Sequence, residues 1–219
     1  MGHEINLLAQ YPQSKRDLEG RASQRTEEDR KIARRFGQEF FDGDRKYGYG
    51  GFNYFPRFWQ PVVPAFKERY NLTSESRILD VGCAKGFMLY DFMQLIPGIK
   101  VAGIDISEYA IAHAKEEVRD HVQVADAREL PFEDHSFDLV IAINTLHNLG
   151  REDCKKALRE LERVSRGGKF VTMDAYRSDD EKTRMDMWNL TALTYMHVDE
   201  WKQFFKEAGY TGDYYWFIP

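Results

Sequence analysis

From residue 61 onward, short apolar runs alternate with segments in which apolar residues recur every three or four positions. Such runs are typical of strands covered on both faces, and such segments are typical of helices with one buried face. The alternation predicts an α/β fold, a Rossmann-like, doubly wound and mostly parallel sheet with helices on both faces. The predicted strands are residues 77–81, 100–104, 122–125, 137–143, 169–173 and 214–218.

Capping residues predict where the helices between these strands begin and end. Ser107 is a typical N-cap, and glycine after an amphipathic segment is a typical C-cap, so Gly167 and Gly209 are expected to end helices. The predicted helices are residues 62–70, residues 87–95, a single helix with Ala110, Ile111, Ala114 and Val118 on one face, residues 154–164 and residues 198–208.

The first 60 residues differ in composition from the rest. Residues 1–35 are polar and carry both charge signs, and residues 16–35 are expected to form either a surface helix or a mobile arm. Residues 36–60 are dense in aromatic residues and glycine, which favours a loop or lid without regular structure that folds over a ligand. The chain therefore divides into an N-terminal arm and lid, residues 1–60, and a sheet domain, residues 61–219, with a candidate substrate-contact insertion at 177–197.

Charge and composition narrow the class of protein. Residues 1–60 carry eleven Lys and Arg against nine Asp and Glu, a net charge of +2, whereas residues 61–219 carry twenty against twenty-seven, a net charge of −7. A mostly acidic domain is a poor match for nucleic acid, so a small molecule is the expected partner.

With no apolar run of membrane-spanning length and no secretory signal, we expect a cytoplasmic protein without integral membrane association, as a monomer or a homodimer. Cys83 and Cys154 are expected to be buried small hydrophobes.

Candidate chemistry follows the predicted strands, at the edge where ligands of such sheets bind. A loop of small residues, Gly82, Ala84 and Gly86, comes directly after the first strand and allows close backbone approach to a ligand. Asp105 follows the second strand, where a carboxylate can accept both hydroxyls of a ribose. Asp126 follows the third strand and could accept from an adenine amino group. Acidic residues here favour an adenosine without phosphates.

Four segments in this order and spacing resemble the motifs of class I S-adenosylmethionine-dependent methyltransferases: 78–87 (ILDVGCAKGF), 101–107 (VAGIDIS), 124–146 (VADARELPFEDHSFDLVIAINTL) and 167–174 (GGKFVTMD). The resemblance implies S-adenosylmethionine as cofactor and S-adenosylhomocysteine as product. It implies cofactor-binding roles for Asp80, Gly82, Cys83, Ala84, Gly86, Asp105, Ile106, Asp126, Ala127 and Asn144. Tyr47 is a further cofactor-binding candidate, because the tyrosines of the lid are expected to close over the methionine end of the cofactor.

The sequence departs from that family in two places. Ala84 stands where the family usually has glycine, and alanine is small enough to keep the turn. Such folds commonly end in two strands after the last helix, one of them antiparallel, whereas residues 210–219 suffice for about one strand. We therefore expect a sheet edge that is either truncated or covered by a partner.

Catalysis and acceptor binding are predicted from residues outside the cofactor motifs. His147, after the fourth strand, is either a general base or a structural residue bonded to backbone, and the two interpretations are equally weighted. Tyr49 is a candidate catalytic residue of the lid, whose glycines Gly48, Gly50 and Gly51 suggest motion or tight backbone contact. The candidate substrate-binding residues are Arg45 and Lys46, for an anionic group, and Tyr176. No metal site is predicted.

The acceptor is expected to be a small metabolite or sugar, because Asn144-Thr-Leu-His147 lacks the Asn/Asp-Pro-Pro-aromatic motif of nucleic-acid amino-methyltransferases. The stretch GDRKYGYGG weakly resembles methyltransferases of bacterial surface polysaccharides, which suggests a sugar or phosphorylated sugar. Three alternatives stay open: a lipid or quinone acceptor, a nicotinamide-dependent oxidoreductase and a non-catalytic nucleoside-binding module. The oxidoreductase is disfavoured because residues 82–86 do not fit G-x-G-x-x-G.

Overall fold

A computed structural model describes residues 2–12, 18–50 and 53–219. Within them, seven strands form a single sheet in which every paired strand is parallel to its neighbour. The strands are β1 (Arg77–Val81), β2 (Lys100–Asp105), β3 (Val122–Val124), β4 (Phe137–Ile143), β5 (Ser165–Tyr176), β6 (Met196–His197) and β7 (Asp213–Phe217).

The strand order is β3-β2-β1-β4-β5, and β6 and β7 pair one after the other along the outer edge of β5. The order reverses between β1 and β4, so a crevice opens beyond the carboxyl ends of these strands. This arrangement confirms the predicted fold class.

Helices pack on both sides of the sheet and over its carboxyl edge. They are α1 (Leu18–Gln24), α2 (Glu27–Ala33), α3 (Gln38–Asp42), α4 (Pro56–Trp59), α5 (Val63–Tyr70), α6 (Phe87–Leu95), α7 (Glu108–Ala112), α8 (Arg151–Val164), α9 (Asp179–Trp188) and α10 (Val198–Ala208). Short 3₁₀ helices occupy Arg45–Tyr47, Glu116–His121 and Leu146–Asn148. No helix among the described residues has the length and apolar character needed to cross a bilayer.

Two apolar cores explain why the central strands are almost wholly hydrophobic. Leu79 of β1 lies in a buried cluster with Leu158 of α8 and Phe205 of α10. Its neighbour Ile78 points to the opposite face, into a second cluster with Phe66 of α5 and Phe92 of α6. Successive side chains of a strand alternate between faces, so a strand covered on both sides needs apolar residues throughout.

The single helix predicted after Ser107 is interrupted. Ser107 does cap α7, since its hydroxyl accepts a hydrogen bond from the Ala110 backbone N–H, but α7 ends at Ala112. The Lys115 backbone N–H bonds to the carbonyl oxygen of Lys85 at 3.0 Å, outside the helix, and a 3₁₀ helix follows. This interruption still buries Ala110, Ala114 and Val118, as predicted.

The prediction that Gly167 ends a helix is wrong. Helix α8 ends at Val164, and the chain enters β5 at Ser165 without a left-handed residue. Gly167 and Gly168 instead permit close packing, because a Cβ at residue 168 would lie 2.4 Å from the Tyr70 ring, and one at residue 167 would lie 2.6 Å from the Asp138 carbonyl oxygen.

The N-terminal arm and lid are more regular than predicted. The arm forms α1 and α2, and Thr26 begins α2 with a capping box to Asp29. The lid forms α3, a 3₁₀ helix and α4 instead of an irregular loop. Gly51 and the first two residues of the predicted arm helix, 16 and 17, lie outside the described residues.

One strand, β7, follows α10, and it is parallel to β5. The Ile5 N–H donates to the Tyr214 carbonyl oxygen at 2.9 Å, and the Tyr214 N–H donates to the His3 carbonyl oxygen at 3.0 Å. The His3 N–H also donates to the Asp213 carboxylate at 2.8 Å. Residues 3–5 of the same chain therefore cover this edge at Tyr214, where we expected either a truncated edge or a partner.

Candidate active site

The loop after β1 turns sharply at the crevice. The backbone N–H groups of Gly82 and Cys83 both donate to the Ile104 carbonyl oxygen, at 2.7 and 2.9 Å, which ties the loop to the end of β2. Gly82, Ala84 and Gly86 all have positive φ, at 84°, 50° and 74°. Ala84 keeps the turn, as expected, in a left-handed conformation that alanine adopts at a small cost.

Asp105 is fixed at the end of β2 by two backbone donors. Its carboxylate accepts from the Ala84 N–H at 2.8 Å and from the Ser107 N–H at 2.8 Å. Burial raises the pKa of Asp105, and these hydrogen bonds act in the opposite direction. Each carboxylate oxygen retains a further lone pair. A preoriented acceptor therefore lies beside the loop, where ribose hydroxyls were predicted to bind.

Asp80, at the carboxyl end of β1, is a buried acid without a donor. Its side chain is 6 % exposed, and no described residue donates a hydrogen bond to it. Burial, reinforced by the negative charge of Asp105, raises the pKa of Asp80 to about 7. Such a carboxyl group is suited to a positively charged ligand group, which would favour its ionised form. The sulfonium or ammonium group of S-adenosylmethionine fits this requirement.

The part of the site where adenine is predicted to bind is more exposed to solvent than the surroundings of Asp80 and Asp105. Ile106 is 55 % exposed and offers apolar surface next to Asp105. The Asp126 carboxylate is engaged by Arg128, whose Nη2 lies 2.6 Å away, and this contact lowers the pKa of Asp126. Ala127 follows in a turn. Contact of Asp126 with an adenine amino group stays a prediction, and it would compete with Arg128.

Asn144 directly follows β4 and has a positive φ of 52°. Its backbone N–H donates to the Thr172 hydroxyl at 2.8 Å, and that hydroxyl donates to the Asn144 side-chain oxygen at 2.8 Å. The Asn148 amide donates to the Asn144 carbonyl oxygen at 3.4 Å, and the Thr191 hydroxyl donates to the Asn148 side-chain oxygen at 2.7 Å. A polar chain therefore runs from β4 into the 177–197 insertion.

Tyr49 joins the lid to that insertion. Its hydroxyl oxygen accepts from the Leu190 N–H at 2.9 Å and from the Thr191 N–H at 3.3 Å. Its ring stacks on Trp188 with a centroid separation of 5.4 Å. Burial raises the pKa of Tyr49, so its phenol is protonated at neutral pH and suits hydrogen bonding better than proton abstraction.

The remaining candidate residues of the lid and of the acceptor site have different surroundings. Lys46 forms an ion pair with Asp29 at 3.2 Å, and its ammonium also lies 4.6 Å from the centre of the Tyr47 ring. Arg45 forms no ion pair within the described part of the chain. Tyr176 packs against the His197 ring where β5 pairs with β6.

His147 has the surroundings of a structural residue. Its Nδ1 accepts from the Asp174 backbone N–H at 3.0 Å, and its carbonyl oxygen accepts from the N–H groups of Leu193 and Thr194. Nε2 lies 3.6 Å from the Asp174 carboxylate. Burial lowers the pKa of His147 to about 3. Of the two interpretations of His147, the geometry favours backbone bonding over general base catalysis.

This assignment predicts a pH dependence of stability. The unfolded histidine takes up a proton below its ordinary pKa of about 6.5, whereas the folded one does not until about pH 3, so stability falls as the pH falls through this window. From pH 7 to pH 5, the free energy of unfolding of the wild type should drop by about 2 kcal/mol relative to His147→Gln, measured by urea denaturation. Curves that stay parallel would contradict the assignment.

Sequence reasoning missed a contact between the lid and the cofactor loop. The nearly buried Lys85 ammonium lies 2.7 Å from the carboxylate of Asp42, at the end of α3. The Tyr109 hydroxyl donates to the same carboxylate at 2.8 Å, and the Ser107 hydroxyl donates to the Phe36 carbonyl oxygen. The start of the lid is thereby attached to the predicted adenosine end of the site, while Tyr49 is attached to the Asn144 end.

The buried cysteines fit their predicted role. Cys83 and Cys154 are both free and buried, and burial raises the pKa of each thiol. The Cys83 sulfur packs against Gly103 of β2, where a Cβ would lie 2.8 Å from it. Cys83 therefore contributes packing beneath the loop rather than a reactive thiolate.

Comparison with known proteins shows which domains this one is similar to. Residues 79–173 match the family of methyltransferase domains. The match confirms the resemblance to class I methyltransferases, the class whose methyl donor is S-adenosylmethionine.

Individual relatives differ widely in what they act on. The tRNA (carboxymethyluridine(34)-5-O)-methyltransferase of Arabidopsis thaliana is 37% identical over 142 residues, which cover 64% of this chain and 33% of that protein. The 27-O-demethylrifamycin SV methyltransferase of Amycolatopsis mediterranei is 32% identical over 154 residues, 63% of this chain and 55% of that protein. The crystal structure of the [4+2]-cyclase SpnF has a TM-score of 0.57 at 24% identity and covers 73% of this chain and 60% of that one.

Proposed function

We propose that this protein transfers a methyl group from S-adenosylmethionine to a small, negatively charged acceptor, such as a sugar or phosphorylated sugar. The observation that carries the proposal is the Asp105 carboxylate, held by the Ala84 and Ser107 N–H groups beside the 82–86 loop of a methyltransferase domain. Bound S-adenosylmethionine supplies an activated sulfonium methyl group, so the protein has chiefly to align the acceptor and exclude water.

The residues of this chain would divide that task. Asp105 would hold the ribose, residues 82–86 would face the methionine part through their backbone, and Asp80 would stabilise its positive charge. Asn144 and Tyr49 would lie on the acceptor side, where the neutral Tyr49 phenol can donate a hydrogen bond. Arg45, which has no carboxylate partner among the described residues, would attract an acceptor with a negative charge.

A second candidate acceptor is a nucleoside of tRNA. The observation that favours it is the Arabidopsis relative, which is named for a modified uridine of tRNA. The net charge of +2 in residues 1–60 is compatible with RNA, whereas the net charge of −7 in the rest opposes it. A small molecule is therefore preferred.

Calorimetric titration with S-adenosylmethionine and S-adenosylhomocysteine tests the cofactor. Transfer of a labelled methyl group to phosphorylated sugars, sugar nucleotides and total tRNA then tests the acceptor. We expect saturable binding of both nucleosides and transfer to an anionic sugar. Transfer to tRNA alone would select the second candidate. Binding without transfer to any acceptor would favour a nucleoside-binding module, and NADH displacing S-adenosylhomocysteine would favour an oxidoreductase.

Asp80 should make cofactor binding release protons. Because its pKa is raised to about 7, the carboxyl group is partly protonated at pH 7, and a cation bound beside it would lower that pKa and expel the proton. Binding enthalpies of S-adenosylmethionine measured at pH 7 in bis-Tris and in Tris should therefore differ by up to about half of the difference between the two buffers' heats of ionisation.

Asp80→Asn should abolish this buffer dependence. Asp126→Asn should retain it, since the pKa of Asp126 is lowered by Arg128 and its carboxylate is already ionised at pH 7. Equal binding enthalpies in both buffers for the wild type would show that Asp80 does not contact the positive part of the cofactor.

A further inference from the structure

Arg25, between α1 and α2, has a buried guanidinium nitrogen without a partner in the described part of the chain. Its Nη1 donates to the Trp188 carbonyl oxygen at 3.0 Å, whereas no described residue accepts a hydrogen bond from its buried Nη2. A buried donor left unpaired loses its hydration without compensation, and the loss is larger when the group is charged, so native proteins seldom leave one without a function. Arg25 Nη2 is therefore available to donate a hydrogen bond to an oxygen atom of a ligand.

Two further arginines lie near Arg25. Burial lowers the pKa of Arg25, Tyr49 raises it, and the nearby charges of Arg30 and Arg45 lower it. Asp29 acts in the opposite direction, but its carboxylate is already engaged by Thr26 and by the ammonium of Lys46. Arg25, Arg30 and Arg45 thus form a positive cluster near a carboxylate, that of Asp29, which already has other partners.

Arg30 and Arg45 differ within this cluster. Arg30 forms an ion pair with Glu27 at 3.2 Å and also donates to the Asn189 carbonyl oxygen. Arg45 is exposed and, within the described residues, forms no ion pair. Its Nη1 approaches Gly50, where a Cβ would lie 2.2 Å from it. Arg25 and Arg45 are therefore the cations left for a ligand.

The cluster lies on the acceptor side of the site. The Arg25 guanidinium carbon is 5.8 Å from the centre of the Tyr49 ring, which also stacks on Trp188. Tyr49 bonds to the backbone of Thr191, whose hydroxyl continues the polar chain through Asn148 to the end of β4. The opposite end of the lid, at Asp42, contacts the predicted adenosine region instead.

We propose that Arg25 and Arg45 form an oxyanion subsite that binds a carboxylate or phosphate group of the methyl acceptor. The placement on the acceptor side rests on the proposed function, whereas the anion binding itself does not. A guanidinium group presents paired N–H donors whose geometry matches both kinds of oxyanion. Binding would satisfy Arg25 Nη2, balance the cluster's charge and orient the acceptor beneath the lid.

Titration of the 219-residue protein with inorganic phosphate, and separately with acetate, tests the subsite. Both titrations are run at constant ionic strength with chloride as the replaced anion, with and without saturating S-adenosylhomocysteine. Arg45→Gln and Arg25→Gln are compared with Arg35→Gln, which removes the same charge from an exposed position of the arm. Arg45→Gln changes an exposed side chain and carries the test should Arg25→Gln fail to fold.

We expect saturable binding of at least one anion, weakened at least about tenfold by Arg25→Gln and by Arg45→Gln and unchanged by Arg35→Gln. The affinity for S-adenosylhomocysteine should stay within about twofold in all three variants. The anion with the lower Kd identifies phosphate or carboxylate as the recognised group. No saturable binding of either anion, or equal binding by all variants, would overturn the subsite. Anion binding without S-adenosylhomocysteine binding would retain the subsite and overturn the proposed function.

Discussion

Asp105→Ala is expected to weaken binding of S-adenosylhomocysteine by at least about 100-fold, because hydrogen bonds to a charged group contribute about 1.5–3 kcal/mol each and two ribose hydroxyls would lose their acceptor. The same substitution leaves the buried N–H groups of Ala84 and Ser107 without their acceptor. The 82–86 loop should therefore loosen as well, and calorimetric titration should detect the combined loss.

Two further variants separate binding from folding. Asp120→Ala removes the same side chain from an exposed position and should leave the affinity unchanged. Asp105→Asn keeps one acceptor oxygen but places an N–H₂ group against a backbone donor, so it should resemble Asp105→Ala more than the wild type. An Asp105→Ala protein that unfolds cooperatively and binds S-adenosylhomocysteine like the wild type would refute the assigned ribose site.

Gly82→Ala is expected to destabilise the fold by about 2–5 kcal/mol, the sum of overpacking and a left-handed backbone. A Cβ at residue 82 would lie 2.2 Å from the Thr145 hydroxyl oxygen and 2.4 Å from its methyl carbon, and φ is already 84°. Relief would require either the loop or the segment after β4 to move, so cofactor affinity should fall together with stability. Urea denaturation and calorimetry measure the two effects.

Gly209 provides the matched control. It ends α10 with a φ of 78°, but a Cβ there would meet nothing within 4 Å. Gly209→Ala should therefore show the backbone cost alone, about 1 kcal/mol. Thr145→Gly in the Gly82→Ala background should recover part of the loss. Equal effects of Gly82→Ala and Gly209→Ala would mean that Thr145 does not confine the loop.

The local pattern of apolar and capping residues was sufficient to predict the central strands and several of the helices that cover them. The bounds of β1 and β4 and of helices α6 and α10 agree with prediction, because apolar runs and capping residues act over a few positions. The predicted cofactor residues Asp80, Asp105 and Asn144 all lie at strand ends for the same reason. The prediction that Gly167 ends a helix was wrong because glycine occurs both at helix ends and where two segments pack closely. The sequence alone does not show which segment packs against Gly167.

Contacts between distant segments could not be predicted in this way. Arg25 meets Trp188 across 163 positions, and Lys85 meets Asp42 across 43. The period of apolar residues along the chain contains no information about such partners. Composition therefore predicted a lid, but the contacts of Asp42 and Tyr49 that attach it could not be predicted. His147 was ambiguous for a related reason, since the burial that lowers its pKa comes from elements far away in the sequence.

Residues 3–5 pair with β7, a strand far along the chain. The hydrogen bond from His3 to Asp213 spans 210 positions, so during synthesis it can form only after the ribosome has added every residue between them. Closing so long a loop costs conformational entropy, which favours local structure first. Residues 3–5 therefore stay without this partner until β7 has emerged, and the covering of the β7 edge belongs to a late stage of folding.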